Sequence, residues 1–548
     1  MAQTETLAQP PAAVAAVKAP FEPLSQRIRS HALRDPQGIA LRIDSTEFTW
    51  AAFDHLLDRV AARLVARGIV RGDRIAAIGP NSPEYLLLFV GAVRAGACMV
   101  PLPTMTSLPS IVGMVNDAQA RMVFAASAQH ATMDEARTAC ASLREFVSFD
   151  IASPGWEGWA SWLGEDTLAA PADVPVTEDD LFNIMYSSGT TGEPKGIVHS
   201  HGMRNEHLTR MGRFGIGPGT VTLISTPLYS NTTHACLLGS IGLGGKTVMM
   251  RKFDALGWLK LAQDERVTHT MLVPVQVQRI LAHPDFERFD LSAFQWKLCT
   301  SAPLSPLIKR DAIDRWPGKM LEIYGHSEGG ANCNLVLNDF PDKLHTVGRP
   351  IAGCVVKMID EAGHELPRGQ TGELVGRQPA MMVGYFMQPE KTEEVTWYDS
   401  DGERYYRSGD VGHFDEDGFV VLLDRTKDMI VSGGFNVYAV DIERVIEQHP
   451  DVAEVAVVGI PSEQWGETPL AFVVPRAGTH TLDAAALRTW ANERLGKLQR
   501  ISGVELRDAL PRSEVGKILK RELRAPYAAP AADATPPAHQ PAHSRSTV

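Results

Sequence analysis

The sequence has few cysteines and lacks any apolar stretch long enough to span a membrane. Its 548 residues include six cysteines, none of them in a C-x-x-C pair. This pattern suggests neither a zinc ribbon nor a disulfide framework, and it is typical of scattered buried thiols in a reducing cytosol. A membrane-spanning helix needs about 20 consecutive apolar residues, and no run approaches that length. We therefore expect a cytoplasmic protein that does not insert into membranes.

Net positive charge is also lacking. The chain has 53 Lys and Arg against 65 Asp and Glu, which gives a formal net charge of -12. Because polyanions bind to basic surfaces, this balance argues against a general nucleic-acid or anionic-membrane binder. A negative net charge for the whole chain is still compatible with local basic loops that bind a phosphorylated small molecule.

The two ends of the chain lack the apolar periodicity of folded domains. Residues 1–20 are rich in Ala and Pro and lack the basic start and apolar stretch of a secretion signal. Residues 525–548 are rich in Ala, Pro and His. We expect both to be disordered tails. The chain between them is too long for one ordinary core, so two or more domains are predicted.

Early in the chain, helices and strands alternate. The apolar spacing predicts a helix over Ala51–Arg67 and a second helix that begins after Ser82. Short apolar runs predict strands at Arg74–Ile78 and Ala97–Leu102. Strand, helix and strand in this order indicate a parallel sheet with helices on its faces.

Further on, four short apolar strands each lead into a polar or Gly/Pro-rich loop. Ligands of open α/β sheets bind outside the carboxyl ends of the strands, so four such loops predict one ligand site. The strands and their loops are Phe182–Met185 before YSSGTTGEPKG, Val221–Ser225 before TPLYSNTTH, Trp296–Thr300 before SAPLS, and Leu321–Tyr324 before GHSEGG.

The first of these loops, Tyr186–Gly196, has the composition of a phosphate-binding loop. Its glycines let backbone N–H groups approach an anion, and its hydroxyls and lysine add donors and positive charge. It is not a Walker A loop, in which a lysine directly follows the last glycine. Here Glu193 and Pro194 separate Gly192 from Lys195, so a P-loop NTPase is disfavoured.

A change of composition near Gly409 predicts a second, smaller domain. Glycines and charges crowd together there, and a compact α+β pattern follows. Strands are predicted at Glu454–Val458 and Leu470–Val474, and a helix near Asp483–Leu495. We place the domain boundary between Asp424 and Asp428.

Five motifs follow one another along the chain. They are YSSGTTGEPKG, YGHSEGG (Tyr324–Gly330), YRSGD (Tyr406–Asp410), DRTKDMIVSGGFNV (Asp424–Val437) and PRSEVGKILKREL (Pro511–Leu523). Their content and order resemble the adenylate-forming (AMP-binding) superfamily, which includes acyl-CoA synthetases, peptide-synthetase adenylation domains and beetle luciferases. The chain is most similar to the acyl-CoA synthetase, or carboxylic acid–CoA ligase, branch.

This resemblance implies an α/β fold in two parts. Residues 21–424 would form a large N-terminal AMP-binding domain of stacked α/β sheets with a small β-barrel part. Residues 425–524 would form a small, mobile α+β C-terminal domain that swings about a hinge near Lys427.

The resemblance also implies a two-step reaction that uses ATP, Mg²⁺ and coenzyme A. A carboxylate attacks the α-phosphorus of ATP to give acyl-AMP and pyrophosphate, and a thiol then takes the acyl group as a thioester. Both first-step reactants are anionic, so Lys517, by resemblance the catalytic lysine, would offset their repulsion. Gly433 and Gly434 would line the path of coenzyme A.

The remaining site assignments follow the motifs. Glu328 would bind Mg²⁺, Ser327 would contact the α-phosphate, Asp410 would accept the ribose hydroxyls and Tyr324 would stack on adenine. Glu328 and Ser327 are thus counted with Lys517 as catalytic. The residues assigned to ATP or AMP are Ser188, Gly189, Thr190, Thr191, Gly192, Lys195, Ser301, Ala302, Pro303, Tyr324, Gly325, Asp410 and Arg425.

The sequence departs from the family pattern at three places. Ser327 stands where the family usually has threonine, which keeps the hydroxyl but loses the methyl that restricts its rotamers. Ala439 stands where a proline is common, and Asp441 where a glutamate is common.

The acyl pocket is predicted to admit an acid larger than acetate. Gly325 stands where acetate-activating relatives have a tryptophan that shortens the pocket. Tyr229, His234, His326 and Ala331 are the proposed wall. A medium or long aliphatic acid and an aromatic or alicyclic acid both fit, and the sequence does not choose between them.

Two alternatives to a CoA ligase stay open. Nothing after Arg524 reads as a carrier segment, so coenzyme A is the expected acceptor. One alternative is a stand-alone adenylation enzyme that loads a separate carrier protein. The other is a non-catalytic nucleotide-binding sensor, which the retained Lys517, Glu328 and Asp410 disfavour. A homodimer and a lysine acetyltransferase acting on Lys517 are further partner hypotheses.

Overall fold

A computed structural model of the chain describes residues 20–165, 174–187, 194–425, 428–432, 435–462, 465–476, 482–513 and 516–527. The chain forms two units. The first takes in the chain up to Leu422 together with Ser513–Lys517, and the second takes in Leu423–Arg512 and the chain from Ile518. Within the described ranges, no helix combines the length and apolar character needed to cross a bilayer.

Fifteen α-helices occur in the described ranges. In chain order they are α1 (Leu24–Arg34), α2 (Trp50–Ala66), α3 (Pro83–Arg94), α4 (Leu108–Ala118), α5 (His130–Arg137), α6 (Trp159–Leu163), α7 (His201–Met211), α8 (Asn231–Leu243), α9 (Ala255–Asp264), α10 (Pro274–Leu281), α11 (Pro306–Arg315), α12 (Pro389–Glu394), α13 (Ala439–Ile446), α14 (Ala484–Arg494) and α15 (Lys520–Arg524).

The strands of the described ranges form four sheets. In chain order they are β1 (Ile39–Ile43), β2 (Thr46–Thr49), β3 (Arg74–Ile78), β4 (Cys98–Leu102), β5 (Met122–Ala125), β6 (Glu145–Ser148), β7 (Glu157–Gly158), β8 (Leu181–Ser187), β9 (Lys195–Ser200), β10 (Val221–Ile224), β11 (Lys246–Met249), β12 (His269–Leu272), β13 (Trp296–Cys299), β14 (Lys319–His326), β15 (Gly329–Val336), β16 (Arg349–Pro350), β17 (Val355–Ile359), β18 (Gly372–Arg377), β19 (Thr396–Tyr398), β20 (Arg404–Phe414), β21 (Val420–Arg425), β22 (Ile430–Ser432), β23 (Phe435–Val437), β24 (Val452–Ser462), β25 (Gly466–Pro475) and β26 (Gly503–Leu506).

Two large sheets of the first unit share one layer of helices. The seven-stranded sheet has the order β7-β6-β5-β3-β4-β8-β9, and the nine-stranded sheet has the order β16-β15-β14-β13-β12-β10-β11-β1-β2. Phe124 of one sheet and Met271 of the other belong to a single buried core with Phe53 of α2 and Phe89 of α3. Helices therefore separate the two sheets.

Each large sheet is also covered on its outer face. Helices α4 and α5 pack on the outer face of the seven-stranded sheet, and α9, α10 and α11 pack on that of the nine-stranded sheet. The result is five layers, helix-sheet-helix-sheet-helix. This confirms the predicted stacked α/β sheets, whose central strands are apolar because both faces are buried.

Local signals explain why the first elements form where the sequence predicts them. The hydroxyl of Ser82 accepts a hydrogen bond from the amide of Tyr85 at 3.1 Å and caps α3, and Pro83 occupies the first turn. Gly68 and Gly96 adopt φ of 78° and 75° beyond the ends of α2 and α3. Only glycine adopts such angles without strain, so these helices end there.

A smaller sheet of five antiparallel strands follows in the region where the resemblance implies a small barrel. Its order is β17-β18-β20-β19, and β21 pairs with β20. In the described residues the first and last strands of this sheet do not pair with each other, so the sheet is open. The expected α/β fold is present, and the described residues show this five-stranded sheet in place of a closed barrel.

The second unit is an α+β arrangement. Strands β24 and β25 pair antiparallel from Val452 to Ser462, and β26 lies parallel to β25. The two strands extend beyond the predicted ranges because the whole hairpin is paired. Helix α14 begins after Asp483, whose carboxylate accepts from the amide of Ala485 at 2.7 Å. The side chain of Tyr527 packs near Phe472, so ordered structure extends into the predicted tail.

Candidate active site

The four predicted strand–loop units of the first unit come from two different sheets. Strand β8 belongs to the seven-stranded sheet, whereas β10, β13 and β14 belong to the nine-stranded sheet. The two sheets approach each other where β9 meets the segment after β14. There the Nε2 atom of His199 lies 2.8 Å from the carbonyl oxygen of Ser327. The predicted site therefore lies at an edge shared by two sheets.

Glu328 is held by a segment that pairs with β9. The phenolic hydroxyl of Tyr385 donates to Glu328 Oε1 at 3.1 Å, and the amide of Met382 donates to the carbonyl oxygen of Glu328 at 2.9 Å. Burial and the nearby Glu328 carboxylate raise the pKa of Tyr385, so its hydroxyl keeps the proton that it donates. The carboxylate therefore has a fixed place.

Lys195 is the first residue of β9 and lies beside the same tyrosine. Its Nζ is 5.2 Å from the centre of the Tyr385 ring, within the range of a cation–π contact. Strand β9 bridges to this segment through Ile197 and Tyr385. One tyrosine thus contacts both a cation, over its ring, and a carboxylate, at its hydroxyl. The other predicted members of this loop, Ser188, Gly189, Thr190, Thr191 and Gly192, lie outside the described residues.

Asp410 is joined to the end of β14. Its Oδ2 accepts a hydrogen bond from the hydroxyl of Tyr324 at 2.7 Å and lies 3.0 Å from Nε2 of His326. Burial and the Asp410 carboxylate raise the pKa of Tyr324 well above its ordinary value. Although 86 residues separate Tyr324 from Asp410 in sequence, the structure brings the predicted adenine and ribose residues into direct contact.

Ser301 follows β13, which pairs in parallel with β14. It adopts φ of +83°, a left-handed conformation that is costly for a residue other than glycine. Its hydroxyl forms a short hydrogen bond with the hydroxyl of Thr232 at the start of α8. Ala302 is half-buried, and Pro303 is exposed. The predicted adenine wall thus lies just after the carboxyl end of β13, and its contact with adenine stays a prediction.

The proposed acyl-pocket residues have different surroundings. Tyr229 is half-buried. His234 is fully buried, its Nε2 lies 2.7 Å from the carbonyl oxygen of Leu228, and burial lowers its pKa to about 3. Ala331 is fully buried in a core cluster with Cys333 and Cys354. Both His234 and Ala331 have packing roles in this structure, and their contact with an acyl group stays a prediction.

Lys517 ends a tight turn. The amide of Ser513 donates to the carbonyl oxygen of Lys517 at 2.8 Å, and the amide of Gly516 donates to the carbonyl oxygen of Ser513 at 2.8 Å. Gly516 adopts φ of 78°, which explains the glycine before the lysine. Arg425 ends β21, and its amide donates to its neighbour Asp424. The roles of Lys517 and Arg425 toward ligands stay predictions.

Three predicted residues of the hinge and the CoA-side loop, Lys427, Gly433 and Gly434, lie outside the described residues. Among the described residues, the sequence analysis missed Tyr385, which contacts the predicted metal ligand. Tyr385 follows Glu328 by 57 residues, and no spacing in the sequence links them. Its only local signal is its position beside Gly384 in the run MMVGYF.

Comparison with known proteins agrees with this arrangement. Residues 28–386 match the AMP-binding enzyme family, and residues 441–517 match the AMP-binding enzyme C-terminal domain. The chain belongs to the AMP-binding enzyme family. It is 34% identical over 497 residues to a feruloyl-CoA synthase of Amycolatopsis, covering 89% of this chain and 96% of that protein. It is 31% identical over 512 residues to an indoleacetate–CoA ligase of Aromatoleum aromaticum, with 91% and 97% coverage.

The chain is also similar to a ligase that acts on a carrier protein and to a solved structure with bound ATP. A fatty acid–[acyl-carrier-protein] ligase of Streptomyces coeruleorubidus is 30% identical over 513 residues, covering 92% of this chain and 96% of that protein. The crystal structure of ATP-bound MatB from Rhodopseudomonas palustris has a TM-score of 0.82 and 30% identity, covering 92% of this chain and 98% of that one. The expected fold is thereby confirmed.

The carboxylate of Glu328 suits a magnesium ion that is bound mainly by substrate. In the described ranges, no group of three or more His, Cys, Asp or Glu side chains could hold a metal by itself. Mg²⁺ is usually bound by one or two carboxylates together with phosphate oxygens and water. When bound, the ion neutralises negative charge on phosphate oxygens. A single oriented glutamate is therefore a suitable protein ligand.

We predict that Tyr385→Phe weakens the site without unfolding it. The variant removes one hydrogen bond to a charged acceptor, which is worth about 1.5–3 kcal/mol. We expect kcat/KM for MgATP to fall roughly 10- to 100-fold, measured by pyrophosphate release. The control is Tyr405→Phe, since the Tyr405 hydroxyl bonds Asp399 away from Glu328. Equal losses in both variants would contradict a specific role for Tyr385.

Proposed function

We propose that this protein is an ATP-dependent carboxylic acid–CoA ligase that forms acyl-AMP and then an acyl-CoA thioester. One observation carries the proposal: the first unit holds two contact groups near the ends of β9 and β14. Lys195 and Glu328 both contact Tyr385, and Tyr324 contacts Asp410. These are the residue types that an adenylation site needs for phosphate, metal, base and ribose. The similarity to a feruloyl-CoA synthase and an indoleacetate–CoA ligase supports coenzyme A as the acceptor of the acyl group.

The first step forms the mixed anhydride. A carboxylate oxygen of the acid attacks the α-phosphorus of ATP, the bond from that phosphorus to the bridging oxygen breaks, and pyrophosphate leaves. Lys195 would hold phosphate oxygens, Ser327 would donate to the α-phosphate and Asp410 would accept from ribose hydroxyls. Lys517 would lower the repulsion between the two anions. No proton transfer is required, because the attacking group is already ionised.

The second step transfers the acyl group. The sulfur of coenzyme A attacks the carbonyl carbon of acyl-AMP, the bond from that carbon to the phosphate oxygen breaks, and AMP leaves while the thiol proton passes to solvent. The lysine-bearing turn and the loop of Gly433 and Gly434 serve different steps. We propose that a swing of the smaller domain near Lys427 exchanges them.

The deciding experiment is CoA-dependent AMP release across a panel of acids. We expect turnover with acids such as ferulate, indoleacetate, cyclohexanecarboxylate or palmitate, weak turnover with acetate, and an acyl-CoA product identified by mass spectrometry. Acyl-AMP that forms but never passes to CoA would favour the carrier-loading alternative, which the similar fatty acid–[acyl-carrier-protein] ligase supports. No AMP from any acid would favour a nucleotide sensor.

Lys517 is expected to serve the first step only. Lys517→Ala should reduce acyl-AMP formation at least 100-fold, because one charge-stabilising contact at a reacting centre is worth about 2.7–4 kcal/mol. Thioester formation from supplied acyl-AMP should be largely retained. The matched control is Lys520→Ala, which removes a neighbouring cation that pairs with Glu443 at 2.9 Å. Equal loss in both steps for Lys517→Ala would refute its assignment.

We also propose that acetylation of Lys517 switches adenylation off, because it removes the same positive charge. Protein acetylated at Lys517 should then behave like Lys517→Ala in both steps. Full activity of such a sample would remove this regulatory hypothesis and leave the catalytic one in place.

Gly325 is proposed to leave room for the acyl group. A Cβ atom built on Gly325 would lie 3.4 Å from Asn332 Nδ2 and 3.5 Å from the carbonyl oxygen of Ala331, which are ordinary contacts. Its φ is also not in the left-handed region. The backbone therefore tolerates a side chain here, and glycine is not required for folding.

We predict that Gly325→Trp shifts the enzyme toward short acids. The indole would occupy space that a larger acyl group needs, so kcat/KM for the best large acid should fall at least 10-fold relative to acetate. Gly325→Ala is the matched control and should keep the original preference. A Gly325→Trp variant that keeps both its fold and its preference for large acids would contradict this assignment.

A reducing compartment is the proposed location. All six cysteines are free, and each is buried. Free thiols without disulfides are usual in the cytosol. The proposed substrates, ATP and coenzyme A, are also cytosolic in ordinary cells. Localisation of a tagged protein by microscopy would test this.

A further inference from the structure

Three buried polar side chains connect the strands beside the phosphate loop to the segment that carries Glu328. Asn183 of β8 and His199 of β9 are fully buried, and Arg204 of α7 is 2% exposed. Asn183 and His199 are register partners in the antiparallel pair of β8 and β9. None of the three has a role in the reaction described above, so a reason for burying them is needed.

The direction of each hydrogen bond in this group can be worked out. A guanidinium can only donate. Arg204 Nε therefore donates to Asn183 Oδ1 at 2.9 Å, and Arg204 Nη2 donates to His199 Nδ1 at 2.7 Å. Because Asn183 Oδ1 faces Arg204, its amide Nδ2 is the atom that lies 3.1 Å from His199 Nδ1. Two donors thus converge on Nδ1.

This arrangement fixes the tautomer of His199. Since Nδ1 accepts, the proton of the neutral ring is on Nε2, which donates to the carbonyl oxygen of Ser327 at 2.8 Å. Burial and the nearby Arg204 charge lower the pKa of His199 well below its ordinary value, which keeps the ring neutral. The other tautomer would place a lone pair against the Ser327 carbonyl.

The peptide that His199 holds directly precedes Glu328. The carbonyl oxygen of Glu328 is held by Met382, and its carboxylate by Tyr385. His199 supplies the third attachment, from the strand that begins with Lys195. We propose that Arg204 and Asn183, acting through His199, are positioning residues that set the Ser327–Glu328 segment in register with Lys195 for adenylation. This rests on the proposed roles of Ser327 and Glu328.

The composition of the group argues against a merely structural role. In the described part of the chain, Arg204 donates to an amide and an imidazole and forms no ion pair with a carboxylate. A buried cation without a paired anion is costly, and burial lowers the pKa of Arg204 to about 9. An apolar side chain would fill the space more cheaply. Unlike an apolar side chain, arginine is always a hydrogen-bond donor. A donor at this place requires His199 Nδ1 to be the acceptor.

The first experiment compares the two half-reactions in His199→Leu and His199→Gln. Leucine removes the donor to Ser327, whereas the amide of glutamine can replace it. We expect His199→Leu to reduce acyl-AMP formation roughly 10- to 100-fold, measured by pyrophosphate exchange, and to spare thioester formation from supplied acyl-AMP. His199→Gln should recover most of the lost rate.

His269 provides a matched control. It is fully buried in the same unit, and its Nε2 lies 2.8 Å from the carbonyl oxygen of Phe214, but it contacts none of the predicted site residues. His269→Leu should therefore lower the thermal midpoint without changing the ratio of the two half-reactions. If His199→Leu leaves that ratio unchanged, or if His199→Gln gives no recovery, the proposal is wrong.

The second experiment needs no substrate, and its deciding measurement is made on the unchanged protein. In protein labelled with ¹⁵N-histidine, the His199 resonances, assigned by their loss in His199→Gln, should show a proton on Nε2 across the neutral pH range. Arg204→Gln removes the obligate donor and should introduce the Nδ1-protonated form. A Nδ1-protonated His199 in the unchanged protein would overturn the proposal. Because this readout is independent of turnover, it separates failure of the positioning role from failure of the proposed function.

Discussion

The site depends on keeping one carboxylate in place where further negative charge is expected to bind. Glu328 is next to the position proposed for polyphosphate, and an unrestrained side chain there would turn away from other anions. Three attachments prevent this: His199 at the preceding carbonyl, Met382 at its own carbonyl and Tyr385 at its carboxylate. All three are neutral groups, so they fix the carboxylate without neutralising it, and its charge stays available for a metal ion.

Local elements could be predicted from the sequence because their signals are local. The helix predicted at Ala51–Arg67 is α2, and the strand predicted at Arg74–Ile78 is β3. The assignment of strands to sheets could not be predicted in the same way. Strand β8 pairs with β4 and β9, whereas β10, β13 and β14 belong to the other sheet. All of these strands have similar apolar composition, and only long-range packing decides which sheet each one joins.

The site residues that belong to sequence motifs could be predicted from the sequence. Tyr324 and Asp410 were assigned to one nucleotide from separate motifs, and they are in direct contact. Tyr385, Asn183 and Arg204 escaped prediction for a physical reason. Each acts by orienting another residue, through a bond between positions that are distant in the chain or opposite each other on paired strands. Such residues need only to place a donor or acceptor correctly in space. No fixed sequence spacing relates them to the residues that they orient, so a motif search does not find them.

Ser301 illustrates how the two sheets and the helices between them combine at this edge. Its left-handed φ of +83° costs about 1–3 kcal/mol relative to glycine. Its hydroxyl is bonded to that of Thr232, and the preceding Thr300 donates to the carbonyl oxygen of Ile323 at 2.7 Å. These bonds from α8 and β14 hold the strained residue beside Tyr324. The strain is therefore sustained by the same contacts that place the predicted adenine wall, which explains why a serine is tolerated where glycine would fold more easily.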